Sequence, residues 1–284
     1  MTQLFDRRCV VLVGKPPPDN YVLLIPDALK IDGLRVTFKV TKDDKPEPNQ
    51  VEISIFNLSS GSRSKCDEKG VRIVLQAGYG DDVAQIASAD VRTVNHLKQG
   101  VDWVTKLEAG DGERALEHAR VSGSFRPGTA VKDIVGKTIR SLQMDPGNAL
   151  QKAQQLAGEF SSGYVQHAKA STELTRLLEP AGWSWSVQDG RIELLGPGEV
   201  LGELAPLFSP STGLVGVPEM GSPGAKGEPP VLKCRSLLQP RLRPGQRFKL
   251  ESASRSGTFV AKKVTHSGDT FGNDWYTDVE AVAE

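Results

Sequence analysis

The chain has 284 residues, a length that predicts one large domain or two to three small ones. Lys plus Arg and Asp plus Glu each number 35, so the net charge is zero, which argues against a general nucleic-acid binder though not against a local basic patch. The scattered cysteines Cys9, Cys66 and Cys234 read as free thiols, and neither a signal-like apolar run nor a membrane-spanning one is present, so a soluble, cytoplasmically made chain is expected.

With 29 Gly and 18 Pro the chain should turn often, and the apolar pattern between the turns is mostly strand-like. Cys9–Val13 and Tyr21–Ile25 read as short strands around the stiff Pro16–Pro18 link. Leu34–Val40 alternates, with Leu34, Val36, Phe38 and Val40 on one face, and Val51–Leu58 alternates again. The two should form an antiparallel ribbon with Thr41–Asn49 as a protruding charged loop. Val71–Ala77, Gln85–Val94 and Val101–Ala109 then continue as a meander, with a turn at Gly78–Asp82.

From about Gly110 the pattern changes to a small α+β insert. Thr129 is placed to cap a helix carrying Val131, Ile134, Val135, Ile139 and Leu142, stopped by Asp145-Pro146-Gly147. Ala149–Ala157 reads as a weaker helix, and Ser171 as the N-cap of a third, with Leu174, Leu177 and Leu178, ended by Pro180. Asp189-Gly190 between Trp183–Val187 and Ile192–Leu194 signals a tight hairpin. Residues 196–230, rich in Gly and Pro, read as a long, partly flexible connection before a strand at Val231–Leu238.

The C-terminal stretch repeats an earlier one. Gly70, Arg72 and Leu75 match Gly245, Arg247 and Leu250, and Val94 and His96 match Val264 and His266. Gly100, Asp102, Trp103, Thr105, Glu108 and Ala109 match Gly272, Asp274, Trp275, Thr277, Glu280 and Ala281. The length differences fall at turn-like positions, as in an internal duplication. The expected fold is therefore mainly β (α+β): two related tube-type β-barrel modules, 1–110 and 231–284, bracketing an insert at 111–200 and a connection at 201–230. The repeat-equivalent anchors are Trp103 and Trp275, His96 and His266, and Asp102 and Asp274.

No catalytic constellation stands out. Gly136-Lys137-Thr138 lacks the glycine five residues upstream that a phosphate loop needs, since position 131 is Val, and it sits mid-helix. His266, Asp269, Asn273, Asp274 and Asp278 fit no Ca²⁺ spacing and read as a turn. His96 and His266, on different modules, read as strand-end packing or hydrogen-bonding residues. Trp183 and Trp185 share one hairpin face, suited to packing on the insert's helices or to stacking a sugar, with packing the preferred reading. No G-x-S-x-G elbow occurs. The expectation is a protein that is not an enzyme and that takes no cofactor or metal.

The run from Gly33 to Ser59, GLRVTFKVTKDDKPEPNQVEISIFNLS, followed by VLQAGY at Val74–Tyr79, resembles tail baseplate-hub proteins of bacteriophages. The end, Leu237–Leu250 through His266–Ala281, resembles the end of the same family. That resemblance implies kinship with the hubs of contractile tails and type VI secretion spikes. These are homotrimers whose two tube-like modules per chain give pseudo-sixfold symmetry. It implies a place in the virion tail tip, assembled in the host cytoplasm, between a tail tube or distal tail ring and a spike. Other baseplate proteins would be neighbours, with DNA present only in transit and no membrane span. The loop residues Lys42, Asp43, Asp44, Lys45 and Asn49 are the expected inter-subunit or tube-contact loop. The alternatives are a tail-associated cell-wall hydrolase and a peptidoglycan-binding adaptor using Trp183 and Trp185.

Overall fold

The structure is a computed structural model that describes residues 6–16, 25, 27–202, 206–222 and 229–284. It is mainly β, and one 13-stranded sheet runs through both ends of the chain. The N-terminal part supplies β1 (Arg7–Gly14), β2 (Leu29–Asp32), β3 (Val36–Asp43), β4 (Gln50–Phe56), helix α1 (Ser60–Cys66), β5 (Arg72–Tyr79), β6 (Asp82–Gln99) and β7 (Asp102–Gly110). The insert contains α2 (Glu113–His118), β8 (Arg120–Phe125), β9 (Thr129–Ala130), α3 (Val131–Ser141), α4 (Ala149–Ala153), β10 (Glu159–Phe160), β11 (Tyr164–Lys169), α5 (Ala170–Leu178), β12 (Ser184–Gln188) and β13 (Arg191–Leu195). The C-terminal part adds β14 (Leu207–Phe208), β15 (Leu214–Met220), β16 (Leu232–Leu237), β17 (Arg247–Glu251), β18 (Ser256–Asp269) and β19 (Trp275–Ala283).

Alternation explains the strands. Val36, Phe38 and Val40 of β3 and Val51, Ile53 and Ile55 of β4 point into one core, where each fully buried aliphatic side chain contributes roughly 1.5–3 kcal/mol. Separate apolar clusters fill the insert, around Ile134, Leu174 and Trp185, and the C-terminal part, around Phe208, Phe248 and Val264. Asp189 and Gly190 both take positive φ, 57° and 83°, as a two-residue hairpin turn between β12 and β13 requires.

Several expectations need correction. Thr129 is not the cap of α3: it is extended in β9, paired with Phe160, and its hydroxyl donates to the Arg126 carbonyl at 2.7 Å. The first N–H of that helix is satisfied by backbone instead, Val131 N to Gly158 O at 3.0 Å. Ser171 lies inside the first turn of α5, whose cap position is Lys169, and its hydroxyl donates to Leu116 O at 3.1 Å. The 196–230 stretch is more than a connection, because β15 forms there and pairs with β16. Strand β3 runs on to Asp43 into the expected loop, and β6 extends to both Asp82 and Gln99, past the turn expected at its start. Helix α1 has no counterpart in the sequence reading; Ser59 caps it by accepting from Ser62 N at 3.2 Å. The Tyr21–Ile25 strand falls mostly outside the described residues.

Candidate functional site

The two repeat copies hydrogen-bond in the same register. In β6 and β7, His96 faces Thr105, Leu97 faces Val104 and Lys98 faces Trp103, with one residue skipped between Val91/Ala109 and Thr93/Glu108. In β18 and β19, His266 faces Thr277, Ser267 faces Tyr276 and Gly268 faces Trp275, with one residue skipped between Ala261/Ala281 and Lys263/Glu280. The bulged residues, Arg92 and Lys262, are therefore equivalent. A bulge shifts every later side chain by one face, so its recurrence fixes the alignment more firmly than matched residues do. The next strands continue the match, since Val51 faces Ala109 just as Leu232 faces Ala281. The strand order β3-β4-β7-β6-β5 thus recurs as β15-β16-β19-β18-β17.

The matched histidines do matched work. His96 Nδ1 lies 3.0 Å from Thr105 Oγ1, and His266 Nδ1 lies 3.0 Å from Thr277 Oγ1. His266 is fully buried, and burial, helped by the nearby Lys42 ammonium, pushes its pKa down to about 3, which keeps the ring neutral. His96 is more open, with Nε2 3.2 Å from both Asp67 oxygens.

The matched tryptophans differ in cover. Trp275 is fully buried, with Phe38 edge-on at 5.4 Å. Trp103 is 40% exposed, and the Arg63 guanidinium lies 4.4 Å over its ring. The cause is the joint between the two strand sets: β3 pairs with β18, Val40 opposite His266 and Phe38 opposite Gly268. A Cβ on Gly268 would stand 2.4 Å from the Phe38 ring, so glycine is what lets that aromatic lie down there. The equivalent part of β6, 93–99, has no strand on that side among the described residues. Beside the tryptophans, Asp102 Oδ1 accepts from Asn57 Nδ2 at 2.9 Å, whereas Asp274 contributes its carbonyl, accepting from Asp269 N at 2.8 Å.

This duplicated, edge-joined sheet with a compact insert has solved counterparts. The chain is similar to a tail protein from Neisseria meningitidis, with TM-score 0.66, 9% identity, and 99% of this chain and 97% of that one covered. It is similar to a tail protein of a Shewanella oneidensis prophage, with TM-score 0.67, 7% identity, and 98% and 97% covered. The fold is that of a bacteriophage tail protein. An E. coli type VI secretion component, itself described as structurally similar to the phage tail proteins gp27 and gp5, shares this tail-protein fold, with TM-score 0.57, 13% identity, and 88% and 73% covered. No protein-family profile and no curated protein matches the chain by sequence.

Within the tail-protein fold, the two ends of the charged stretch, Lys42 at the end of β3 and Asn49 before β4, turn inward. Lys42 is 2% exposed and its Nζ lies 2.6 Å from Asp189 Oδ1, while Arg243 Nε lies 3.1 Å from Asp189 Oδ2. Asn49 is buried and donates to Val187 O at 2.7 Å, and Gln188 Nε2 donates to Asp43 O at 2.7 Å. Lys262 meets Asp44 Oδ2 at 2.8 Å, and Lys45 N donates to Asp43 Oδ1 at 3.0 Å. The expected contact loop therefore clamps the insert hairpin and the second strand set to the first. Alternation carried the signal, because Lys42 continues the inward series Val36, Phe38, Val40, and an inward charge needs a buried partner. Asp111 joins this junction by accepting from Gly190 N at 2.8 Å. Burial, and then Asp189, push its pKa up to about 7.

The remaining sequence candidates resolve simply. Lys137 lies exposed on α3, 4.9 Å over the Phe125 ring. Trp185 is 3% exposed and donates from Nε1 to Thr175 Oγ1 at 3.0 Å, so the Trp183/Trp185 pair packs on the insert's helices and offers no open stacking platform. Asp269 accepts from Phe271 N at 2.9 Å and pairs with Arg35 at 2.8 Å, which together hold its carboxyl below the usual range. Among the described residues no cluster has metal-binding geometry, and no helix is long and apolar enough to cross a membrane.

Proposed function

We propose that this chain is a structural, non-enzymatic baseplate hub of a phage tail or phage-like injection machine. As a homotrimer at the tail tip, it joins a sixfold tail tube or distal ring to a threefold spike and lines the central channel. The observation that carries this reading is the identical register of the two strand sets together with the β18–β3 joint between them. One chain supplies two equivalent positions, so three chains supply six, and a closed ring pairs the open edges of the two strand sets. The 1–110 module and the 231–284 module, the latter completed by β15, form the ring wall, and the 111–200 insert sits outside it.

The polar face of the sheet is the proposed channel wall. Across it Glu219 faces Lys233, Lys233 faces Glu280, Glu280 faces Lys263 and Lys263 faces Asp43, so the signs alternate over five strands. Arg235 and Asp278 pair at 2.7 Å in the next row. Neutralised in this way, the wall offers little cationic surplus to hold passing nucleic acid. The test is a cryo-EM reconstruction of purified tails. Three copies around the axis at the tube–spike junction are expected; a location off the axis would overturn the proposal.

A further inference from the structure

We infer that residues 93–99 of β6 are the docking edge for β15 of a second copy of this chain, antiparallel, with His96 opposite the neighbour's Met220 and Leu97 opposite its Glu219. This rests on the ring reading above and names the joint that closes it.

The register follows from the chain's own duplication. Met220 faces Leu232 as Val40 faces Val51, and Leu232 and Val51 face the matched Ala281 and Ala109. Met220 is therefore the equivalent of Val40, and by the same steps Glu219 matches Lys39 and Val215 matches Thr37. Within one chain, Val40 docks opposite His266 and Lys39 opposite Ser267. Moving that joint to the other repeat puts Met220 opposite His96 and Glu219 opposite Leu97. Among the described residues both edges needed for it are open, since β15 ends the sheet and β6 has no partner beside 93–99.

The two edges differ from their internal counterparts in compensating ways. Gly268, which makes room for Phe38, is replaced in the first repeat by Lys98, whose Cβ would meet such a ring. In β15 no aromatic stands at that level. Instead the register jumps between Val215 and Glu219, so Gly216, Val217 and Pro218 take the place of Phe38 alone. Gly216 turns there with φ 72°. A bulge containing proline cannot pair with an arbitrary strand, so it keeps the open edge from joining the wrong partner.

The exposed apolar side chains mark the same two surfaces. Of the seven large hydrophobics exposed among the described residues, Leu97, Val101 and Trp103 lie at the β6–β7 end, and Val215 and Val217 lie on β15. Val217 is 71% exposed and Trp103 40%, so the neighbour's bulge tip would cover Trp103 as Phe38 covers Trp275.

The test is disulfide trapping in the full chain carrying Leu97→Cys and Glu219→Cys. The native thiols are buried, and burial pushes Cys9 up to about 12, so background oxidation should be low. Thr93→Cys with Glu219→Cys is the control, since four residues of strand displace the sulfurs by about 13 Å. Thermal melting of each reduced variant confirms folding. Mild oxidation at high protein concentration should convert the test variant to covalent trimers and leave the control unlinked. A native trimer that fails to cross-link at 97/219 would overturn this joint but leave the ring reading standing. Cross-linked chains growing past three would keep the joint and overturn the trimeric ring. A protein that stays monomeric and unlinked at hundreds of micromolar would overturn the joint, and the ring reading would then rest on the copy number in tails.

Discussion

Gly268→Ala isolates the packing between the two strand sets. Gly268 does not take a positive φ, so its backbone accepts alanine and only space is at issue. The new Cβ would stand 2.4 Å from Phe38 Cζ and 2.7 Å from Trp275 Cε3. Both rings are held in the buried core, Trp275 at 0% and Phe38 at 5% exposure, so neither can swing clear. Overpacking of this kind costs about 1–3 kcal/mol. Relief should come from a smaller neighbour: Phe38→Leu alone leaves a partial void and costs on the order of 1–2 kcal/mol, but it opens the space the methyl needs. In the double variant the two losses should therefore fall short of their sum by about 1 kcal/mol or more, within the range seen for side chains in contact. Urea denaturation followed by tryptophan fluorescence reads this cycle directly. Equal losses from Gly268→Ala in the native and Phe38→Leu backgrounds, or no loss in either, would refute the reasoning. Lys98→Ala, at the matched but uncovered position, should change monomer stability by less than about 0.5 kcal/mol.

The other expectations follow from the same contacts. Trp275→Ala should cost the folded chain roughly 3–5 kcal/mol, whereas Trp103→Ala should leave monomer melting nearly unchanged and weaken self-association in sedimentation experiments. Lys42→Met strands the buried Asp189 with Arg243 as its remaining cation, and a loss of about 3–5 kcal/mol in chemical denaturation is expected, partly recovered when Asp189→Asn is added. Asp111 has a pKa raised from 3.8 to about 7, so its stabilising contribution is complete below pH 3.8 and disappears as pH rises through 7. Asp111→Asn should therefore flatten the stability profile across that window. His266 titrates in the opposite sense: its pKa falls from 6.5 to about 3, so its contribution is complete above pH 6.5 and is lost as pH falls towards 3. His266→Gln should remove that acid-side loss, read as denaturation midpoints at stepped pH.

Patterns with a short physical range were legible in the sequence. The alternation of Val36, Phe38 and Val40 and of Val51, Ile53 and Ile55 placed β3 and β4, and Asp189-Gly190 placed the hairpin, because each signal lies within a few residues. The repeat was legible because the same residues recur at the turns and at the histidine–threonine pair. What escaped was decided across the fold. Thr129 and Ser171 look like caps, yet strand pairing upstream of each helix satisfies the first N–H groups and sends their hydroxyls elsewhere. The Gly/Pro content of 196–230 hid β15, because a bulged edge strand tolerates both residues. Lys42 and Asn49 read as surface loop because their partners, Asp189 and Val187, are far along the chain. The two tryptophans looked alike in sequence; only the β18–β3 joint shows that one is covered and the other open.

The most direct test of the central claim is the copy number and symmetry of this chain in a tail reconstruction at side-chain resolution. Three chains around the axis are predicted, with Trp103 and Trp275 alternating at six equivalent positions of one closed sheet. A ring built from six chains, or three chains whose two strand sets sit at unrelated radii, would contradict it.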